Sequence, residues 1–215
     1  MAYRRTPAVQ ARLDAQRVVV LAAAVDLLAE RGYAGCSMAA VADRAGIATG
    51  SMYRYFAGKA ELAVELFRVV VLREVAAVEL AVAKAAADGA GPHGRVAAVV
   101  RTFAARALRS PRLAYALLAE PADQVVDAER LVFRQAFRDL IAAQIAPAVA
   151  DGRLPEQDVR LTAAALVGAI GEALVGPLAA GQVQDDLIPA LVTFTQRALG
   201  GVNADAPGGH CADHA

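Results

Sequence analysis

Between Ser37 and Lys59 the chain places two short apolar periods around a single glycine, and few folds accommodate that pattern. Met38, Val41, Ala42 and Ala45 recur at helical spacing, with Asp43 and Arg44 outside the stripe. Ser37 stands where a hydroxyl can accept from an early helical N–H that has no other partner. Gly46 follows the last periodic residue, where a left-handed backbone ends a helix without a side-chain clash, and Ile47 returns the chain to a core. A second helix then has to begin at Thr49 or Gly50. Met52 and Phe56, four apart, supply its buried side and leave Thr49, Ser51, Tyr53, Arg54 and Tyr55 outward or along the rim. Gly58, Lys59 and Glu61 predict the start of a further helix, with Glu61 placed for a weak capping box.

Two helices in a tight turn, the second carrying hydroxyl, phenol and guanidinium groups, suit a helix laid in the DNA major groove. At this point the sequence resembles the TetR family of bacterial transcriptional regulators. The resemblance runs from Val18 to Phe67 and rests on Ala22–Gly32 (AAAVDLLAERG), Ser37–Gly46 (SMAAVADRAG) and above all Ile47–Leu62 (IATGSMYRYFAGKAEL). Its most specific part is the Tyr-x-x-Phe-x-x-Lys ending, Tyr53, Phe56 and Lys59.

The resemblance implies an all-α chain in two parts. Residues 1–60 would form a three-helix, helix-turn-helix DNA-binding domain, and residues 61–200 a helical effector-binding and dimerisation domain. It further implies that Thr49, Gly50, Ser51 and Arg54 read base edges, and that Tyr53, Tyr55, Lys59 and Ser37 grip phosphates. Tyr55 stands where the family often has histidine, a change that keeps an aromatic hydrogen-bonding group. The implied activity is that of a ligand-responsive repressor, bound as a homodimer to a palindromic operator and released by a small molecule. No cofactor and no metal are expected. Activation instead of repression depends on where the operator lies, which this sequence does not carry.

Charge distribution agrees with the resemblance. The chain is neutral overall, but residues 1–60 hold eight Lys/Arg against four Asp/Glu, and residues 61–215 hold fourteen against eighteen. The positive field is thus segregated onto the expected DNA-binding end. Arg4 and Arg5, before Pro7, serve either as a flexible arm on DNA or as a tail without function. Lys59 sits at a helix start, where the dipole disfavours a cation, so a phosphate partner would explain it.

Enzymatic chemistry finds little support. No HExxH, GxSxG or P-loop pattern occurs, His93 lies between Pro92 and Gly94, and the other histidines, His210 and His214, are near the end of the chain. A helical scaffold or partner-binding protein remains the rival class, but it gives no reason for the Thr49–Lys59 surface. Cys36 and Cys211 make no disulfide framework. Cys36 reads as a small packing residue or as a redox thiol. The tail from residue 201 reads as disordered, and His210, Cys211 and His214 lack the fourth ligand of a structural metal site. Val18–Leu28 is too short to span a bilayer and no secretory leader is evident, so a cytoplasmic protein is expected.

Downstream, 57% hydrophobic content with only 5% aromatic residues indicates alanine-rich helical packing. Punctuation predicts helices over Lys59–Ala87, Arg95–Arg109, Pro111–Ala119, Asp123–Ala150 with Pro147 bending its last turn, Glu156–Ala180 and Asp185–Leu199, for roughly nine in the chain. Ala164, Gly168 and Glu172 align on the first of the last two helices, and Leu187, Leu191, Phe194 and Ala198 on the second. Paired across a two-fold axis they would form a four-helix interface; alternatively both stripes close the subunit's own core. The resemblance also implies an effector pocket in the middle helices. Its candidate lining is Phe103, Tyr115, Leu118, Phe133, Phe137, Ile141, Leu166 and Ile170, with Arg106, Arg134 or Glu172 as polar anchors and an apolar ligand; the same side chains could equally be packing.

Overall fold

The computed structural model describes residues 7–181 and 185–200, and within them every regular element is a helix. They are α1 (Pro7–Arg31), α2 (Met38–Arg44), α3 (Thr49–Met52), α4 (Lys59–Ala87), α5 (Pro92–Arg109), α6 (Pro111–Leu118), α7 (Gln124–Ala150), α8 (Val159–Ala180) and α9 (Leu187–Ala198). Arg4, Arg5, His210, Cys211 and His214 lie outside the described residues.

Two apolar cores organise these helices. The first gathers Val20, Leu27 and Leu28 of α1, Val41 of α2, Met52 and Phe56, and reaches along α4 through Leu62, Leu66, Phe67 and Val70. Ala116 and Leu117 of α6 and Val126 of α7 complete it. The second joins α4 (Val78, Val82), α5, α7 (Phe133, Phe137, Ile141, Ile145), α8 (Leu166, Ile170, Leu174, Leu178) and α9. Helix α4 therefore belongs to both cores, packing on α5, α7 and α1, while α6 lies between α1 and α8.

Local chemistry moves two helix starts from where the sequence puts them. α5 begins at Pro92 rather than Arg95, because proline at the first helical position fixes φ and has no N–H to leave unpaired. α8 begins at Val159 rather than Glu156, because the Asp158 carboxylate accepts from the N–H groups of Arg160 (2.9 Å) and Leu161 (3.0 Å) and so sets the cap. Pro147 lies within α7, which continues to Ala150.

Among the described residues α8 alone would pass for a membrane span by length and composition, with a mean hydropathy of 1.7 over its most apolar stretch. The helix is packed instead against α7, α6 and α5 of the bundle.

Candidate nucleic-acid interface and effector cavity

The helix-turn-helix is built as its periods require. The Ser37 hydroxyl accepts from the Ala40 N–H at 3.1 Å and caps α2. Gly46 adopts φ +67°, and the Ile47 N–H donates to the Ala42 carbonyl at 3.0 Å as the chain turns. Met52 and Phe56 are buried, anchoring a surface on which Thr49, Gly50, Tyr53 and Arg54 are exposed and Ser51 and Tyr55 half-buried. Tyr53 is 60% exposed, and the Arg54 guanidinium has no hydrogen bond or ion pair among the described residues.

The second helix is shorter than expected. Regular α-helix ends at Met52, and residues 53–55 continue as tighter turns, with the Arg54 N–H on the Ser51 carbonyl (3.1 Å) and the Tyr55 N–H on that of Met52 (2.9 Å). Tyr53, Arg54 and Tyr55 thus project from the end of the helix.

Two cations flank the recognition segment. The Lys59 ammonium, expected to meet a phosphate, lies 4.4 Å from the centre of the Tyr33 ring, an aromatic face that offsets part of the cost of a cation at a helix start. Arg17, not singled out in the sequence, reaches from α1 to the recognition segment. It donates to the Tyr55 carbonyl at 3.1 Å, lies over the Phe56 ring at 4.6 Å, and pairs with Glu65 (3.4 Å) and Glu61 (3.8 Å). Glu61 also accepts from the Ala57 N–H at 2.6 Å, one residue earlier than a capping box would place that bond.

The turn after α1 is tied to the second half of the chain. Glu120, just after α6, accepts from the N–H groups of Tyr33 (2.7 Å) and Ala34 (3.2 Å), and Asp123 accepts from the Tyr33 hydroxyl (2.5 Å). Arg130, only 9% exposed, holds the end of α6 by donating to the carbonyls of Leu117 (3.1 Å), Ala116 (2.8 Å) and Glu120. Burial, then the hydrogen bond to Asp123, raises the Tyr33 phenol above its usual range. Burial, reinforced by the Glu120 charge, pushes the Cys36 thiol up to about 11. Such a thiol stays protonated and unreactive at neutral pH, so Cys36 is a packing residue, its Sγ donating to the Ala24 carbonyl at 3.7 Å.

In the second core a cavity of about 250 Å³ opens between α5, α7 and α8. Of the expected lining, Phe103, Leu118, Phe133, Arg134, Phe137, Ile141, Ile170 and Glu172 border it. Its aromatic wall is close-packed, with Phe137 at 4.9 Å from Phe103 and 4.8 Å from Phe133 between ring centres. Arg106 borders instead an adjoining hollow of about 100 Å³, which shares Phe103, Leu118 and Phe133 with the first. Tyr115 faces a third hollow beside Arg31, Gly32 and Glu120, and Leu166 is enclosed in the core, so neither borders the cavity. Val99, Val100, Val167, Gly171 and Val175 were missed, although 99 and 103, and 167, 171 and 175, are spaced one helical turn apart.

The stripes assigned to self-association separate in the structure. On α8, Gly168 and Glu172 are exposed and border the cavity, while Ala164 is half-buried. On α9, Leu191 is buried in the subunit's own core together with Val192, Thr195 and the following Leu199, because α9 packs on α5 and α8 through that side. Phe194 and Ala198 are exposed and Leu187 is half-buried.

Comparison with known proteins agrees with this geometry. Residues 20–66 match the family described as bacterial regulatory proteins, tetR family. The HTH-type transcriptional repressor KstR of Mycobacterium tuberculosis is 31% identical over 124 residues, 54% of each chain, so the chain spans about half the length of this curated relative in the match. The regulator FadR of Bacillus subtilis, solved in complex with stearoyl-CoA, superposes with a TM-score of 0.72 at 20% identity, covering 86% of this chain and 99% of that one. RolR, solved with resorcinol, gives 0.68 at 19% identity over 89% and 90%. These two likenesses are of fold. Residues 20–66 thus carry the helix-turn-helix of the tetR family of bacterial regulatory proteins, and the chain as a whole shares the fold of these solved regulators.

Proposed function

We propose that this regulator is a cytoplasmic, ligand-responsive repressor that binds a palindromic operator as a homodimer and is released by a small, largely apolar effector. The observation that carries the reading is the exposed Thr49–Tyr55 surface, held out on buried Met52 and Phe56 with an unpaired Arg54 at its end. Thr49, Gly50, Ser51 and Arg54 read base edges; Ser37, Tyr53, Tyr55 and Lys59 contact phosphate, Lys59 from its place against the Tyr33 ring. Residues 1–60 form the DNA-binding part, residues 61–200 the effector-binding and dimerising part, and residues 201–215 a tail.

Repression is favoured by the KstR likeness, and a small-molecule effector by the Phe-lined cavity together with the ligands held by FadR and RolR. Self-association is favoured by α8: only 28% of its most apolar stretch is buried within the subunit. A two-fold dimer presents two recognition segments to half-sites about 34–36 Å apart. Because α4 enters both cores, an effector that favours a different arrangement of the second core alters the spacing of the two heads. DNA and effector then weaken each other's binding through one coupling free energy, typically about 1–3 kcal/mol.

The test is footprinting of the purified chain on genomic DNA, followed by mobility shifts with two variants. Arg54→Ala changes the ranking of operator variants, whereas Tyr53→Phe weakens all duplexes alike. Absence of any protected site, or identical effects of the two substitutions, overturns the assignment.

A further inference from the structure

The Phe-lined cavity and its smaller neighbour meet at a corner with a specific electrostatic character. There Arg106 of α5 forms a two-pronged pair with Glu74 of α4, Nε to Oε2 at 2.6 Å and Nη2 to Oε1 at 2.8 Å. The Arg106 Nη1 has no partner among the described residues, and Arg109, also bordering the small hollow, pairs with nothing there either. Two guanidiniums thus face one carboxylate. Helix α6 begins at the same corner without a side-chain cap, adding the positive end of its dipole, while the Arg106 and Ala107 carbonyls near the end of α5 are both taken by the Ser110 N–H. The shared walls Phe103, Leu118 and Phe133 lead from this corner into the Phe-lined chamber, which Arg134 and Glu172 also border. Together the two chambers fall just inside the lower end of the roughly 300–1,000 Å³ usual for ligand pockets.

We infer that the effector is an amphipathic monoanion: its hydrocarbon part fills the Phe-lined chamber and its carboxylate-type head takes the Arg106 fork in place of Glu74. The inference rests on the reading of this cavity as the effector site and names the ligand class. It also gives the ligand a lever. Glu74 belongs to α4, which runs into the first core, so a ligand anion that captures Arg106 unfastens α4 from α5. An alcohol of the same length would fill the chamber but leave the pair closed. Arg106 is a binding and positioning residue, and the Glu74 carboxylate is an internal competitor for it.

Titration calorimetry on the full chain with decanoate, decan-1-ol and decyltrimethylammonium, all below their micelle thresholds, tests the exchange. Decanoate is expected to bind at least about tenfold more tightly than decanol, since hydrogen bonds to charged groups contribute on that order. Decyltrimethylammonium binds most weakly. In Arg106→Gln the decanoate advantage falls to about twofold or less, and Arg106→Lys, which keeps the charge but loses the fork, lies between. Glu74→Gln removes the competitor and tightens decanoate several-fold without altering decanol, and it reports the same exchange from α4 should the Arg106 variants fail to fold. Equal affinity for decanoate and decanol, a tenfold gap that survives in Arg106→Gln, or no response to Glu74→Gln would each overturn the inference. Gly171→Leu separates this from the cavity reading. Gly171 borders the chamber and a Cβ there meets no atom within 4 Å, so leucine fills the space without strain at its own position. If decanol and decanoate bind equally and Gly171→Leu blocks both, the head-group exchange is wrong and the cavity reading stands. Binding that survives Gly171→Leu removes both.

Discussion

The Tyr33 hydroxyl donates to the Asp123 carboxylate at 2.5 Å, joining the turn that follows α1 to the turn that opens α7. Beside it Glu120 receives the Tyr33 and Ala34 amides, and Lys59 lies over the Tyr33 ring. One tyrosine therefore touches the start of α4 and the α6–α7 turn, the two routes by which the helix-turn-helix meets the rest of the molecule. Its neighbour Gly32 has φ +69°, and a Cβ on it would lie 2.8 Å from both Glu120 carboxylate oxygens.

Gly32→Ala is accordingly doubly unfavourable. The left-handed backbone costs an L-residue about 1–2 kcal/mol, and the methyl group pushes the carboxylate off the two amides it serves. A total loss of about 2–3 kcal/mol is expected in urea unfolding. Tyr33→Phe, which removes only the hydroxyl, costs about 1–2 kcal/mol. A Gly32→Ala protein as stable as wild type would mean that the Glu120 contact is not maintained in solution.

Arg17→Ala probes the support behind the recognition segment. The guanidinium covers Phe56, holds the Tyr55 carbonyl and balances Glu61 and Glu65. Its removal loosens the turn at residues 53–55 and, near the DNA-facing end, leaves Glu61 without its cation and Glu65 with Arg68 alone, at 3.5 Å. Affinity for every duplex should fall several-fold without a change in the ranking of sequences, and stability should fall by about 1–2 kcal/mol. Fluorescence anisotropy on a panel of operator variants reads the first effect and thermal melting the second.

Alkaline pH acts on the same region. The Cys36 thiol has a folded pKa of about 11 against an ordinary value of 9.0, and the Tyr33 phenol is also raised above its ordinary 10.0. A group raised in the folded state keeps its proton there while the unfolded chain loses it. Stability is therefore full below pH 9 and declines from about pH 9 towards pH 11. Cys36→Ala removes one of the two titrating groups and makes the decline shallower, measured as denaturation midpoints between pH 8 and about pH 11. A midpoint flat over that range, or one that rises, would contradict the burial argument.

What the sequence reveals and what it withholds divide by range. The Ser37 cap, the Gly46 turn, and the burial of Met52 and Phe56 follow from spacings of three or four residues, and the structure reproduces them. The partners of Tyr55 and Tyr33 lie 38, 87 and 90 residues away, and no local period points to Arg17, Glu120 or Asp123. The Glu74–Arg106 pair, 32 residues apart on different helices, is hidden for the same reason. Periodicity also shows that a helix has an apolar face but not what covers it: α9 offers Leu191 and Phe194 at equal standing in sequence, and packing on α5 buries the first and leaves the second out.

That division makes Leu191 and Phe194 a paired test of self-association. Leu191 is 6% exposed and belongs to the subunit's core, so Leu191→Asp buries an unpaired charge and unfolds the second core. Phe194 is 47% exposed, and the subunit loses little when it is replaced. If α8 and α9 meet their copies across a two-fold axis, Phe194→Asp places two carboxylates in an apolar interface and yields folded monomers by sedimentation equilibrium. Each monomer keeps its recognition segment and binds an isolated half-site as wild type does. On a full palindrome it loses the second, tethered binding event, which is worth about a hundredfold or more in apparent affinity. A Phe194→Asp protein that remains dimeric would place the interface on another face of the bundle, with the exposed Leu131 and Val132 of α7 the next side chains to substitute.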